Sequence, residues 1–109
     1  MADLLGTFEQ AVLLAILHLE TEAYGRAVLH QAQEMLKRNV SAGSVYTTLD
    51  RLEARGLVSS RLAEGTPVRG GRARRYYSVA GKGIEALSDA RSALTAIWAG
   101  VQLPSEVQL

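Results

Sequence analysis

Residues 41–58 read SAGSVYTTLDRLEARGLV, and this stretch decides the fold. Ser41 suits an N-cap, because its hydroxyl can accept a hydrogen bond from a free amide in the first helical turn. The apolar side chains recur at helical spacing, which predicts one buried face. They are Val45, Leu49 and Leu52. Gly56 suits the position just beyond a helix end, so the stretch predicts a helix from about Ser41 to Arg55.

A second helix precedes this one by only a few residues. Tyr24-Gly25 opens it, and its apolar face consists of Val28, Leu29, Ala32, Met35 and Leu36. Lys37 and Arg38 suit its C-terminal end, where cations meet the negative pole of the helix dipole. Two helices joined so closely are typical of a helix-turn-helix, although tight helix pairs also occur in proteins that bind no DNA.

A further helix is predicted upstream, with Thr7 as its capping residue. Thr7 and Gln10 have the spacing of a capping box, in which two side chains satisfy the first free amides. The apolar positions of this helix also recur at helical spacing: Phe8, Val12, Ala15, Ile16 and Leu19. A polar break at residues 20–22 ends it.

Two short segments flank a loop rich in glycine at residues 65–71, and they predict a β-hairpin. The first segment covers residues 57–64 and the second covers residues 72–79. Because successive strand residues point to opposite faces, Tyr77 is expected on the core face and Arg74 on the other.

The last helix is predicted from about Lys82 to Ala99. Its apolar stripe would be about 27 Å long at 1.5 Å per residue, more than three helices and a hairpin can cover. We therefore expect a homodimer joined through this helix. The predicted dimerisation residues are Leu87, Ala90, Leu94, Ile97, Trp98 and Val101.

These elements predict a mainly α chain with a small β-hairpin, arranged as a winged helix-turn-helix plus a C-terminal dimerisation helix. The expected boundaries are residues 1–80 for the winged helix-turn-helix domain and 81–103 for the dimerisation helix. Residues 104–109 are expected to form a flexible tail. The total of 109 residues suits one compact domain.

The charge of the chain is unevenly distributed, although its formal net value is only +1. Residues 1–40 carry three basic and five acidic side chains, and residues 80–109 carry two and three. Residues 41–79 carry seven basic and three acidic side chains, and all seven are arginine. The basic block thus coincides with the helix at residues 41–55 and the hairpin, and arginine suits phosphate and guanine edges.

The composition excludes several other classes of protein. The chain has no cysteine, which excludes disulfides and thiolate chemistry and favours a reducing compartment, so we expect a cytoplasmic protein. No stretch has the roughly 18 uncharged apolar residues of a membrane span. His18 and His30 lack neighbouring ligands or paired carboxylates, so neither a metal site, a cofactor nor an enzyme is predicted.

The candidate DNA-reading residues follow from the helix-turn-helix prediction. The N-terminal part of the second helix of this motif enters the major groove. The side chains that we expect there, away from the buried stripe, are Ser41, Ser44, Thr47, Thr48 and Arg51. The alternative is an ordinary polar helix face.

The hairpin supplies a second group of candidates, all of them arginines. Arg69, Arg72, Arg74 and Arg75 could hold phosphates on both sides of a minor groove or enter a narrow one. We expect one or two of them to be merely solvated strand residues.

Several short motifs occur in an order and spacing that together are fairly specific. They are Leu4-Leu5-Gly6 with Glu9 and Val12-Leu13, Tyr24-Gly25, Gly43-Ser44-Val45-Tyr46, Leu49, Arg51-Leu52-Glu53, Gly56-Leu57-Val58, Gly71-Arg72, Arg75-Tyr76-Tyr77 and residues 83–87. On these motifs, residues 4–88 resemble the PadR-like transcriptional regulators, in particular their short subfamily with a single C-terminal dimerisation helix. The chain departs from the family pattern at Thr47, where proline is usual, and at Ala80, where threonine is usual.

The resemblance implies specific roles for four residues. Tyr46 would contact a phosphate through its hydroxyl, and Gly43 would let the backbone approach DNA closely. Trp98 would stack on a planar ligand in a cavity between subunits, with Phe8 as a wall, although a Trp98 that only packs the dimer interface fits the spacing equally well.

The function expected is that of a homodimeric transcriptional regulator, a repressor of a near-palindromic operator that a small planar or aromatic effector releases. Its partners would be double-stranded DNA and a second copy of the chain, with no membrane. The alternative is a winged-helix module for protein-protein interaction, in which the arginines meet an acidic partner.

Overall fold

The computed structural model describes residues 4–63 and 73–104 of the chain. The elements are α1 (Thr7–Leu19), α2 (Gly25–Leu36), α3 (Ala42–Ala54), β1 (Val58–Ala63), β2 (Arg74–Val79) and α4 (Gly81–Trp98). A 3₁₀ turn, Glu20–Glu22, joins α1 to α2. The predicted mainly α chain with a two-stranded hairpin is confirmed.

The core forms where α1, α2 and α3 pack against one another. Its largest fully buried side chains belong to all three helices: Leu13, Ile16, Leu49, Leu52, Val12, Val28 and Val45. Burying one such side chain stabilises a fold by roughly 1.5–3 kcal/mol, so these residues fix how the helices pack.

The caps of α3 are those that its sequence predicts. The Ser41 hydroxyl accepts a hydrogen bond from the Ser44 amide at 3.0 Å. At the other end, Gly56 has a φ of +78°, a conformation that favours glycine. Local sequence therefore fixes both ends of this helix.

The predicted capping box of α1 is wrong by one residue. The Gly6 amide donates to Glu9 Oε1 at 3.0 Å, so Gly6 is the N-cap and Thr7 is already helical. Gln10 Nε2 donates instead to the Leu5 carbonyl oxygen, also at 3.0 Å. The Glu9 carboxylate lies closer to the helix start, where a negative charge is more favourable.

The hairpin is attached to the helices along one edge. Strands β1 and β2 are antiparallel, with Ser60 opposite Tyr77. Tyr24, at the start of α2, forms a bridge to Tyr76, and the Tyr77 amide donates to the Ala23 carbonyl oxygen at 2.9 Å. Tyr77 is buried and Arg74 exposed, as strand alternation predicts.

Helix α4 agrees with the prediction to within one residue at each end. It stops at Trp98, and Gly100 takes a left-handed φ of +73°. Val101, predicted on the helical stripe, therefore lies beyond the helix. Its amide still donates to the Trp98 carbonyl oxygen at 3.1 Å.

Only the N-terminal half of α4 packs on the rest of the chain. Ala90 is buried and Leu87 partly buried, but the large apolar side chains that follow, Leu94, Ile97 and Trp98, are exposed. The Cα radius of gyration is 16.6 Å. A compact chain of this length would give about 13 Å, so the chain is elongated. None of the helices described in residues 4–63 and 73–104 combines the length and hydropathy needed to cross a membrane.

Two glycines at the start of α4 differ in the space around them. A Cβ on Gly83 would collide with the Leu57 carbonyl oxygen and lie 2.8 Å from Val79 Cγ1, whereas one on Gly81 would meet nothing within 4 Å. We therefore expect Gly83→Ala to lower the free energy of unfolding by about 2–3 kcal/mol through overpacking. The matched Gly81→Ala should leave it unchanged or raise it by up to about 0.5 kcal/mol. Urea unfolding of both variants measures the difference, and equal values would contradict this packing.

Candidate nucleic-acid interface

The outward face of α3 is set by the burial of its apolar face. Because each helical residue is rotated about 100° from the last, the positions opposite the buried stripe are Gly43, Thr47 and Asp50. All three are exposed. Thr47 therefore lies where it was predicted, while Asp50 is not among the predicted site residues.

Two predicted serines lie at the N-terminus of α3 and are hydrogen-bonded to each other. Ser41 Oγ donates to Ser44 Oγ at 2.8 Å while it accepts from the Ser44 amide. Both hydrogen-bonding functions of Ser41 are thus used in the cap. The Ser44 proton has no partner among the described residues, so Ser44 can still donate outward.

The prediction that Thr48 lies away from the core is wrong. Thr48 is only 7% exposed, the one buried polar side chain among the described residues. It follows Val45 by three positions and precedes Leu52 by four, so it lies along the same buried side of the helix. Its side chain is therefore largely inaccessible to DNA.

A shallow cleft runs along the side of α3 that faces α1. It is lined by Phe8, Ser41, Gly43, Ser44, Thr47, Thr48 and Arg51. Arg51 is exposed here, in agreement with its predicted position. Phe8 thus lies beside α3 rather than beside Trp98 at the end of α4, so a ligand pocket that contains both would need a second subunit.

Tyr46 lies on the opposite side of α3, against the first turn of α2. Its ring packs so close to Gly25 that a Cβ there would lie 2.8 Å from Tyr46 Cε1. The side chain is still 40% exposed. The absence of a side chain at Gly25 thus leaves room for the Tyr46 ring, which is partly exposed at the surface.

Arg74 is stacked on an aromatic platform on the face of the hairpin that points away from α3. Its guanidinium carbon lies 4.1 Å from the centroid of the Tyr24 ring. Tyr24 meets Tyr76 edge-on at 5.8 Å, and Arg61 lies 5.0 Å above Tyr76. Stacking of this kind contributes about 0.5–1 kcal/mol at an exposed site. The stacking orients the Arg74 guanidinium and leaves the N–H donors at the edge of that group available to a ligand.

Arg75 lies on the other face and is directed towards α3. Its Nη1 donates to Ser60 Oγ at 2.9 Å, and Ser60 Oγ donates in turn to Glu53 Oε2 at 2.7 Å. Of the four predicted hairpin arginines, Arg74 and Arg75 therefore have different surroundings. Arg69 and Arg72 lie outside the described residues.

The buried Tyr77 ring lies between α3 and the hairpin, next to several charged groups. Burial raises the pKa of its hydroxyl above the ordinary value of 10.0, and the Asp50 and Glu53 carboxylates raise it further while Arg75 lowers it. The two carboxylates thus act on the pKa of this hydroxyl in the same direction as burial, and the guanidinium opposes them.

One direct ion pair links α1 to the end of α3. Arg55 Nη1 lies 3.2 Å from Glu9 Oε2, the only ion pair within 4.0 Å in the described parts of the chain. Arg55 is therefore engaged within the protein. Nor do the described residues bring three potential metal-ligating side chains together.

Four members of this surface, Asp50, Glu53, Ser60 and Tyr24, are not among the residues predicted from sequence. Asp50 was detectable, because it follows Thr47 by three positions on the same helix face. Glu53, Ser60 and Tyr24 are linked to Arg74 or Arg75 from distant parts of the chain. Such contacts leave no pattern in the local sequence.

The predicted dimerisation residues lie partly on an exposed surface. Leu94, Ile97 and Trp98 are 53%, 71% and 50% exposed. Ala90, by contrast, is buried within the chain and contributes little to any surface. On α1, Leu14 and Leu17 are also exposed.

Comparisons with known proteins agree with this geometry. The Transcriptional regulator PadR-like family matches residues 13–89. A PadR-like transcription factor from Bacteroides fragilis is 26% identical, with 84% of each chain covered and a TM-score of 0.68. A PadR-like transcriptional regulator from Bacillus cereus has the same identity and coverage, with a TM-score of 0.66.

A more distant structure shares the fold alone. The ORC1 protein of Aeropyrum pernix, solved in complex with DNA, is 24% identical over 82% of this chain and 24% of its own, with a TM-score of 0.63. No curated protein matches the chain by sequence.

Proposed function

The chain belongs to the PadR-like family of transcriptional regulators, and from this premise we propose that it regulates transcription by binding double-stranded DNA as a homodimer. The observation that carries the proposal is the exposed outward face of α3. On the hairpin, Arg74 is also exposed and is stacked on the Tyr24 ring. The likeness to the ORC1 protein supports it, because that protein shares the fold and was solved in complex with DNA.

The reading helix in this proposal is α3. Thr47 faces outward at its centre, with Ser44 and Arg51 on one side and Tyr46 on the other. Arg51 can bind a guanine edge or a phosphate, and the hydroxyls can bind either a base or the backbone. Arg74, 4.1 Å above the Tyr24 ring, would bind a phosphate.

Gly43 supports close approach of DNA because nothing among the described residues requires a glycine there. A Cβ at this position would lie 4.0 Å from Ser41 Oγ, an ordinary contact distance. Glycine also weakens a helix by about 1 kcal/mol relative to alanine. A glycine at this exposed position therefore favours contact with a ligand outside the subunit.

Gly43→Ala should have opposite effects on the free energy of unfolding and on the affinity for the operator. The free energy of unfolding should rise by about 0.5–1 kcal/mol, because alanine favours the helix. Affinity for the operator should fall by about tenfold, as a methyl group keeps the backbone from the DNA. Urea unfolding and fluorescence anisotropy measure the two effects. Unchanged affinity would remove Gly43 from the interface.

Salt dependence tests the proposal as a whole. Each phosphate that the protein neutralises contributes about −0.9 to the slope of log K against log salt, so the slope should be several units. Arg74→Ala should make the slope less steep by about 0.9 for each phosphate that Arg74 neutralises. Lys82→Ala removes the same charge from the start of α4 and should leave it unchanged.

These titrations use the promoter upstream of the protein's own gene and a scrambled duplex of equal length. A flat slope without preference for the promoter would refute DNA binding and favour the alternative, in which the arginines meet an acidic protein.

The dimer is proposed from the exposed apolar end of α4. Leu94, Ile97 and Trp98 lie on one side of this helix, and Leu14 and Leu17 expose further apolar surface on α1. Two-fold pairing would bury such a surface in both subunits. It would also present two copies of α3 to half-sites about one turn of DNA apart. A repressor would act by occupying such an operator.

Ile97→Glu should convert the dimer to a monomer and lower operator affinity by at least tenfold, because a charge would be buried in the interface. Sedimentation velocity measures the mass, and circular dichroism checks that the helices remain. Ser92→Glu is the matched control, since this exposed position lies on the opposite side of α4 and should leave the dimer intact. A monomeric wild-type protein at micromolar concentration would contradict the proposal.

A further inference from the structure

The single hydroxyl of Ser60 connects the reading helix to the hairpin. It lies on β1, donates to Glu53 on α3 at 2.7 Å and accepts from Arg75 on β2 at 2.9 Å. One chain of hydrogen bonds therefore links α3 to both strands. We call Glu53, Ser60 and Arg75 the hinge triad.

The triad also determines which groups the Arg75 guanidinium contacts within the chain. The described residues contain no direct ion pair between Arg75 and Glu53, so the hydroxyl stands between the two charges. The Asp50 and Glu53 carboxylates raise the pKa of the Tyr77 hydroxyl and Arg75 lowers it, so all three charges lie near that ring. The Arg75 guanidinium is thus hydrogen-bonded within the free protein, through Ser60, to a carboxylate of α3.

Arg74 provides the contrast. It adjoins Arg75 on β2 but points to the opposite face, where it is stacked on the Tyr24 ring. The two neighbouring arginines therefore have different partners: Arg75 donates to the Ser60 hydroxyl, whereas Arg74 lies on an aromatic ring.

We infer that the hinge triad positions the hairpin relative to α3, and that Arg75 is a positioning residue which neutralises no phosphate. Only one consequence of this inference rests on the proposed DNA-binding function: α3 and the hairpin would reach the DNA at a fixed separation. The inference differs from the sequence-based prediction that Arg75 contacts DNA. The structural part of the inference concerns the free protein alone.

The first experiment therefore uses no DNA. Ser60→Ala removes both hydrogen bonds without changing any charge, whereas Ser59→Ala alters the neighbouring exposed serine on the other face of β1. Amide hydrogen exchange is measured on the full chain for residues 58–63 and 74–79, relative to α1. Ser60→Ala should speed exchange in the hairpin by about fivefold, the factor expected for one modest hydrogen bond, while α1 and the Ser59→Ala hairpin stay unchanged.

Equal exchange in the hairpins of the two serine variants would overturn the inference, whether or not the protein binds DNA. Faster exchange throughout Ser60→Ala would also overturn it, since the bond would then serve global stability. Failure of the proposed function is recognised separately, by a wild-type salt slope near zero.

The second experiment asks whether Arg75 touches phosphate. Arg75→Gln should weaken operator binding by about fivefold with the salt slope unchanged, because the hydrogen bond that it removes is internal to the protein. A slope less steep by about 0.9 per phosphate, as expected for Arg74→Ala, would overturn the inference.

A double variant completes the test. Arg75→Gln leaves Glu53 without its counter-charge, so adding Glu53→Gln should recover part of the affinity. Within the triad the effects of the two substitutions are therefore not additive. If Arg75 binds DNA directly, Arg75→Gln will reduce affinity by the same factor with or without Glu53→Gln, and that result would overturn the inference.

Discussion

Complete burial of Val45, Leu49 and Leu52 fixes the rotation of α3 about its own axis. Turning the helix by one residue, about 100°, would expose these side chains and forfeit roughly 1.5–3 kcal/mol for each. The outward position of Thr47 follows from this constraint alone. Everything that the reading helix can present to a ligand therefore depends on its apolar side, which never meets that ligand.

The position of the hairpin depends on a second constraint, which acts at the edge of the hairpin rather than on one of its faces. The bridge between Tyr24 and Tyr76 and the hydrogen bond from the Tyr77 amide to Ala23 join β2 to the connection between α1 and α2. This edge contact brings the Tyr24 ring under Arg74. The same backbone contact that anchors the hairpin thus also builds the platform on which its exposed arginine is stacked.

The elements that sequence can predict are those whose signals are local. The limits of α3 are predictable because Ser41 and Gly56 act on their own turns. Thr48 is misplaced by the sequence pattern because its burial depends on α1, which packs against the edge of the stripe. The hydrogen bonds that link Arg75 to Ser60 and Glu53 are not predictable from sequence, because these residues lie 15 and 22 positions away. Charge and strand alternation can identify an exposed arginine but not its distant hydrogen-bond partners.

The pairing of arginines with carboxylates changes the meaning of the basic block at residues 41–79. Arg55 is paired with Glu9, and Arg75 is linked through Ser60 to Glu53, so two of its seven arginines are committed inside the protein. The electrostatic attraction to any DNA backbone is smaller than the sequence count implies, because only uncompensated cations release counterions on binding. Weak non-specific attraction leaves more of the affinity to the contacts that the outward face of α3 makes with particular bases. Acidic residues next to the interface can therefore favour specificity, even though each opposes binding on its own.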